Sequence, residues 1–372
     1  MLKKGVDDGV FPGAVLLVGR DGRAIFSETV GTRTVDADEA ETQNRMEFDT
    51  VFDIASLTTL VVTVPLIMKL VEAGQLALQD KVARYIDGFS VFGKSSITIA
   101  HLLTHTSGLP AWHPYYEELL KANAGARMGV LTSKGARDYI YTAIKRCKLE
   151  FEPGSTQMYS DVGNILLGYL VELLSGMPLD RCARQYLLHP LGMRNSSFID
   201  LAMIKRRGIH PVRNLIAPTE NCAWRGRVLC GEVHDDNAWA MGGIAGHSGL
   251  FSTAGDLHLF AAEMLRAAQG SSRLLSRDSV KMLWSGVERS DSVTWQHGWD
   301  TPGKENNMLA SGLSAQAVGA CAFTGCSLWL EPEKHVDIVL MSNRIHPNRS
   351  NKKIRTFRPQ LHEAVLEALG KL

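Results

Sequence analysis

Two β-hairpin signals lie near opposite ends of this chain, and they restrict its fold more than any other feature. GAVLLVGRDGRAIFSETVG, from Gly13, is a pair of β-rich runs joined through Asp21-Gly22. That dipeptide suits the positive backbone angles of a tight turn. SLWLEPEKHVDIVLMS, from Ser327, repeats the pattern around Glu331-Pro332-Glu333-Lys334. The tail beyond Arg358 carries Leu361, Val365, Leu366 and Leu369 on one face of a closing helix. Between the hairpins, helical patterns cover 61–72, 97–103, 133–145, 162–174, 179–187 and 256–268. Thr253-Ala254-Gly255-Asp256 precedes the last of these as a capping box with Thr253 as N-cap. Strands at both ends around a helix-rich middle predict an α/β (α+β) chain: one antiparallel sheet built from both chain ends, flanked by helices, plus a helix-rich lobe. A single domain over 1–372 is expected, with 1–95 and 290–372 in the sheet lobe and 96–289 in the helix-rich lobe.

Composition excludes several function classes. The formal net charge is +1, and the only local basic clusters are Lys205-Arg206-Arg207 and the stretch from Arg344 to Arg358. Both read as solvated faces, so nucleic acid is not expected as a partner. No apolar run reaches the ~18–20 residues that span a bilayer, and no membrane partner is expected. MLKKGVDDGVFPGA has two lysines without an apolar stretch behind them. That is not a signal peptide, and the expected location is the cytoplasm. The six cysteines (147, 182, 222, 230, 321 and 326) lack C-x-x-C spacing and read as reduced, small core residues. No metal or other cofactor is expected.

Ser56 follows the extended stretch Val51-Phe52-Asp53-Ile54-Ala55 and opens a long apolar helix. A serine there has two readings. It caps the helix, or it is a nucleophile placed where unpaired N–H groups favour developing negative charge.

The surroundings favour the second reading. Ser56-Leu57-Thr58-Thr59 resembles the S-x-x-K element of serine β-lactamases, penicillin-binding proteins and the related esterases. ITIAHLLTHTSGLP from Ile97, FEPGSTQMYSDVGNILLGYLVELLSG from Phe151, LLHPLGMRNSSF from Leu187 and GGIAGHSGLFSTAGDLHLFA from Gly242 resemble further segments of the class C-like branch. Together they extend from Gly13 to Asn343. The resemblance implies the β-lactamase/transpeptidase fold and an acyl-enzyme on Ser56. It makes Tyr159, in the Tyr159-Ser160-Asp161 match to Y-x-N, the proton relay. It makes the backbone N–H groups of Ser56 and Phe323 the oxyanion site, with a small-molecule ester, peptide or β-lactam as ligand. Asp161 stands where the family often has Asn and is an expected substrate-binding position, keeping an acceptor there while adding charge near the acyl site.

Two elements depart from the family. Thr59 occupies the lysine position, and a threonine hydroxyl is neither a cation nor a useful base at neutral pH. General-base assistance is typically worth ~10²–10⁴ in rate. Lys69, ten residues further along, is ~15 Å away at helical rise. On the strand matching K/H-T-G, the expected substrate-binding positions are Ala320, Cys321 and Ala322. Ala320 removes the cation that holds a substrate carboxylate, which favours an esterase or peptidase-like hydrolase over an effective β-lactamase. The expectation is a serine hydrolase scaffold that is weak or inactive. The alternative is a non-catalytic protein binding ligands in the same cleft.

Lesser candidates complete the reading. His101 and His105 have i, i+4 spacing that can hold a metal, as in a metal-dependent hydrolase, but no H-E-x-x-H and no third ligand accompany them, and structural roles are the expected ones. His247 reads as structural. The run from Glu232 to Asn237 reads as a solvated loop by default, with a lining of the cleft as the alternative. Trp112, with His113, Tyr115 and Tyr116, reads as an aromatic lip binding substrate, or as cover for apolar core.

Overall fold

Both expected hairpins form, and they meet in one sheet. Strands β1 (Gly13–Arg20) and β2 (Arg23–Gly31) come from the N-terminal end, and β3 (Val318–Cys321), β4 (Ser327–Glu331) and β5 (Val336–Ser342) from the C-terminal end. Their order is β2-β1-β5-β4-β3, with every neighbouring pair antiparallel. Asp21 and Gly22 turn the first hairpin with φ of 53° and 74°. The computed structural model describes residues 1–35, 44–123, 131–285, 294–302 and 313–370. The expected lobe boundary at residue 290 lies outside the described residues.

The sheet is covered on both faces, which is why its central strands are largely apolar. Alternate residues point to opposite sides. Val15, Leu17, Val339 and Met341 join the main core, whereas Leu16, Val18, Ile338 and Leu340 join a second cluster. The second cluster is closed by α1 (Leu2–Asp7) and α5 (Ile354–Leu369) through Leu2, Ile354, Phe357 and Leu361. Three more helices position the site: α2 (Val64–Glu72), α3 (Asp161–Ser175) and α4 (Ala254–Ala268). Helix α4 packs on β1 and β5, and α2 packs on α3.

Two local expectations are modified. The helix expected from Val61 already starts at Leu57 and passes through a π-helical turn over Thr59–Thr63 before α2. Pro65 has no N–H to offer the carbonyl four residues back, so the preceding turn widens. Thr253 does cap α4, accepting the Asp256 N–H at 3.2 Å. The box is not closed, because the Asp256 carboxylate instead accepts from Ser196 Oγ at 2.7 Å and Asn195 N–H at 2.8 Å.

Candidate active site

Ser56 sits in the turn immediately before the helical stretch that starts at Leu57, and so opens that helix as expected. The turn follows a short strand, Phe52–Asp53, that pairs with Leu250–Ser252. Ala55 adopts φ +44°, a costly angle for a residue with a Cβ. Asp53 holds it there. One carboxylate oxygen accepts the Ala55 N–H at 2.9 Å, and the other accepts the His234 N–H at 2.7 Å. The Asp53 carbonyl accepts from Thr324 Oγ1 at 2.8 Å. One buried aspartate therefore joins the Ser56 turn, the 232–237 segment and the loop after β3. Burial raises its pKa despite these bonds.

Tyr159 and Asp161 converge on the same point. Ser160 caps α3, accepting the Gly163 N–H at 3.1 Å, which fixes Tyr159 and Asp161 on either side of the helix start. The Tyr159 hydroxyl donates to Asp161 Oδ1 at 2.9 Å and accepts from Asn164 Nδ2 at 3.3 Å. Burial, then the Asp161 charge, raise the phenol well above its usual pKa, and the adjacent side chains of Asn164 and Ser56 work against that rise. Asp161 is lifted from 3.8 to about 6 by burial and by Asp235, with His247 and the Tyr159 bond opposing. His105 packs its ring 4.6 Å from that of Tyr159 and accepts the Ser160 N–H at 3.2 Å. Burial pushes its pKa down to about 3, so it is a neutral wedge.

His247 and Asp235 form an ion pair beside this centre, Nε2 to Oδ1 at 2.8 Å. Burial alone would lower the imidazole, but Asp235 and Asp161 outweigh it and its pKa rises. Asp235 is held at about 2, with burial opposed by His247, the Ala238 N–H and His234. The His247 loop lies directly on α3. A Cβ on Gly246 would sit 2.2 Å from the Asn164 carbonyl oxygen, and one on Gly168 would sit 2.7 Å from the Gly246 Cα. Only glycine permits that approach. Thr59 is buried and does not line the cavity. Its hydroxyl donates to the Gly246 carbonyl at 3.1 Å, beside that of Thr63 at 2.7 Å. The lysine position is thus converted into a strut beneath the His247 loop.

These residues line a cavity of about 590 Å³ shared by Ser56, Tyr159, Asp161, His247, Trp112 and Phe323. Cys321 and Ala322 also reach it, but Ala320 does not. Ala320 packs in the main core, which corrects its expected role in substrate binding. Neither the Ser56 nor the Phe323 N–H donates to a protein acceptor among the described residues. Both remain available to an oxyanion. Phe323 lies between the His234 ring, at 5.5 Å, and the Arg344 guanidinium, at 4.9 Å.

Two further corrections follow. The run from Glu232 to Asn237 is a largely buried cavity wall, not a solvated loop. Charge pairing permits its burial: Arg225 meets Asp236 at 2.6 Å and Arg227 meets Glu232 at 2.7 Å. His101 is occupied by the Thr98 cap, and among the described residues no group of three candidate ligands could hold a metal ion. The basic stretch from Arg344 is not merely a solvated face, because Arg344, Arg355 and Arg358 all line the cavity. Buried Arg358 donates to the Gly325 carbonyl at 2.9 Å. Burial and the neighbouring charges of Arg358 and Arg355 push Arg344 down to about 10. Cations therefore reach the cavity from α5 and the segment before it. Asp53, Asp235 and these arginines carried no motif signal.

The geometry can be set beside known proteins. The β-lactamase family profile matches residues 1–363. The chain is 33% identical over 364 residues to an Escherichia coli (strain K12) protein described as "Putative D-alanyl-D-alanine carboxypeptidase", covering 92% of this chain and 80% of that one. Among solved structures it is similar to EstCE1, "a hydrolase with promiscuous acyltransferase activity", at 20% identity over 96% of both chains with a TM-score of 0.68. It is also similar to the octameric penicillin-binding protein homologue from Pyrococcus abyssi, at 20% identity over 96% of this chain and 75% of that one, TM-score 0.70. The structural likenesses establish a shared fold.

Proposed function

The chain belongs to the β-lactamase family and has its serine-hydrolase scaffold; from that premise we propose that it is a slow acyl-transfer hydrolase working through an acyl-Ser56 intermediate. The observation carrying this reading is the convergence of Ser56, Tyr159 and Asp161 in a cavity that also offers two unengaged N–H groups. Ser56 Oγ attacks the acyl carbonyl while its proton passes to Tyr159. The N–H groups of Ser56 and Phe323 hold the oxyanion. An alcohol or amine leaves with a proton, and water then releases the acyl group from Ser56. Thr59 supplies no cation, so the step is slower than in a lysine-bearing relative by a factor on the order of 10²–10⁴.

The arginines narrow the ligand. Arg344, Arg355 and Arg358 have no ion-pair partner among the described residues and face the cavity beside Phe323. A substrate with a free carboxylate is attracted there, which favours a short peptide C-terminus or a carboxylate-bearing ester. The Escherichia coli relative, a "Putative D-alanyl-D-alanine carboxypeptidase", is named for a substrate of that kind. Trp112, exposed at the cavity rim, supplies an apolar contact for the acyl side.

The test is hydrolysis of p-nitrophenyl acetate and of an acyl-D-Ala-D-Ala peptide by the wild type and by Ser56→Ala. Slow turnover that disappears in the variant supports the proposal. Turnover unchanged by the variant overturns it. The second reading, a non-catalytic binding protein, is favoured by one observation, the commitment of the Thr59 hydroxyl to the Gly246 carbonyl. It predicts ligand-dependent thermal stabilisation with no turnover and no adduct.

A further inference from the structure

We infer that Asp161 ends the proton path in place of the missing lysine, with Ser56 passing its proton to Tyr159 as Tyr159 passes its own to Asp161. This rests on the reading of Ser56 as the nucleophile. The Tyr159 hydroxyl hydrogen is already committed to a carboxylate, donating to Asp161 Oδ1 at 2.9 Å. Asn164 Nδ2 donates to the same oxygen at 3.3 Å, which fixes the phenol's orientation. One acceptor position on Oη is left, and the Ser56 side chain lies close enough to bias the phenol toward phenolate. A proton arriving from Ser56 therefore has a path away from the phenol.

The balance is complete. As the Ser56 Oγ–carbon bond forms, the Oγ–H bond breaks and its proton goes to Tyr159 Oη. The original Oη–H bond breaks and that proton goes to Asp161 Oδ1. Tyr159 ends unchanged, Asp161 ends neutral, and the negative charge has moved to the tetrahedral oxyanion. The reverse transfers protonate the leaving group. An asparagine at this position, as the family often has, accepts a hydrogen bond but not a proton. Thr59 takes no part, because its hydroxyl is bound to the Gly246 carbonyl.

The neighbourhood suits an acceptor. The charged and titratable groups acting on Asp161 are His247, Asp235 and Tyr159, and His105 packs behind Tyr159 as a neutral ring. Burial holds Asp161 near 6. It is thus more basic than an ordinary carboxylate yet still ionised at neutral pH, the compromise that general-base catalysis favours.

The experiment measures the second-order rate of Ser56 labelling by a fluorophosphonate from pH 4.5 to 9. Fluoride leaves without needing a proton, so the rate reports the base step alone. The wild-type rate should rise along a limb centred near pH 6. Asp161→Asn should lose that limb and slow by on the order of 100-fold or more at pH 7.5. Adding Thr59→Lys to Asp161→Asn should restore much of the rate, a rescue that misfolding does not allow. Labelling of Asp161→Asn at the wild-type rate overturns the relay. So does a limb that persists in the variant, which then belongs to His247. Absence of labelling in the wild type at every pH overturns the nucleophile reading itself, a separate outcome.

Discussion

Replacing Asp161 by asparagine should stabilise the protein at neutral pH while slowing its chemistry. The magnitude follows from the carboxyl's surroundings. Its pKa is lifted from the ordinary 3.8 to about 6 in the folded protein, chiefly by burial. Between those values the folded state keeps a proton that the unfolded chain has lost. Stability therefore falls as pH rises through that window, and above pH ~6 the whole cost is present. Two pKa units correspond to roughly 3 kcal/mol. Partial solvent access to the carboxyl reduces this to about 2–3 kcal/mol. Asparagine keeps an acceptor for the Tyr159 hydroxyl and removes the ionisation. Urea denaturation followed by tryptophan fluorescence at pH 4 and pH 7.5 measures the difference. The variant should gain about 2–3 kcal/mol at pH 7.5 and close to nothing at pH 4. A variant less stable than wild type at pH 7.5, or one showing the same change at both pH values, refutes the reasoning.

Three other perturbations test separate parts of the account. Thr59→Lys, alone and with Ala320→His, Cys321→Thr and Ala322→Gly, should raise p-nitrophenyl ester turnover by on the order of 10², read from steady-state rates. Asp53→Ala should destabilise the fold by about 2–4 kcal/mol, because the buried N–H groups of Ala55 and His234 lose their acceptor; thermal unfolding measures it. Arg355→Ala, at an exposed position on the cavity rim, should raise KM roughly three- to tenfold for a carboxylate-bearing ester while leaving a neutral ester unaffected.

The architecture was largely legible because local signals agreed with the global arrangement. Asp21-Gly22 turns the first hairpin, a β-rich apolar run marks β1, and Thr253 caps α4. The π-helical turn before Pro65 has no period of its own, so it passed as ordinary helix. What the motifs anticipated is which residues share the cavity: Ser56, Tyr159, Asp161, Trp112, Cys321, Ala322 and Phe323 all line it. The motifs failed where position along them did not decide which way a side chain goes: Thr59 turns to the Gly246 carbonyl and Ala320 into the core. Residues joined only by folding gave no local signal. Asp53 binds His234 across 181 positions, and Arg358 reaches the cavity from the helix that closes the chain. The charged run from Glu232 to Asn237 looked solvated because its partners Arg225 and Arg227 pair with it only after the segment folds back.

The central claim is that Ser56 still loses its proton in the absence of the lysine. The most direct measurement is the intact mass of the protein after incubation with a fluorophosphonate at pH 7.5, for the wild type and for Ser56→Ala. The account predicts a single adduct on the wild type and none on the variant. A wild type that stays unmodified, or an adduct that survives Ser56→Ala, contradicts it.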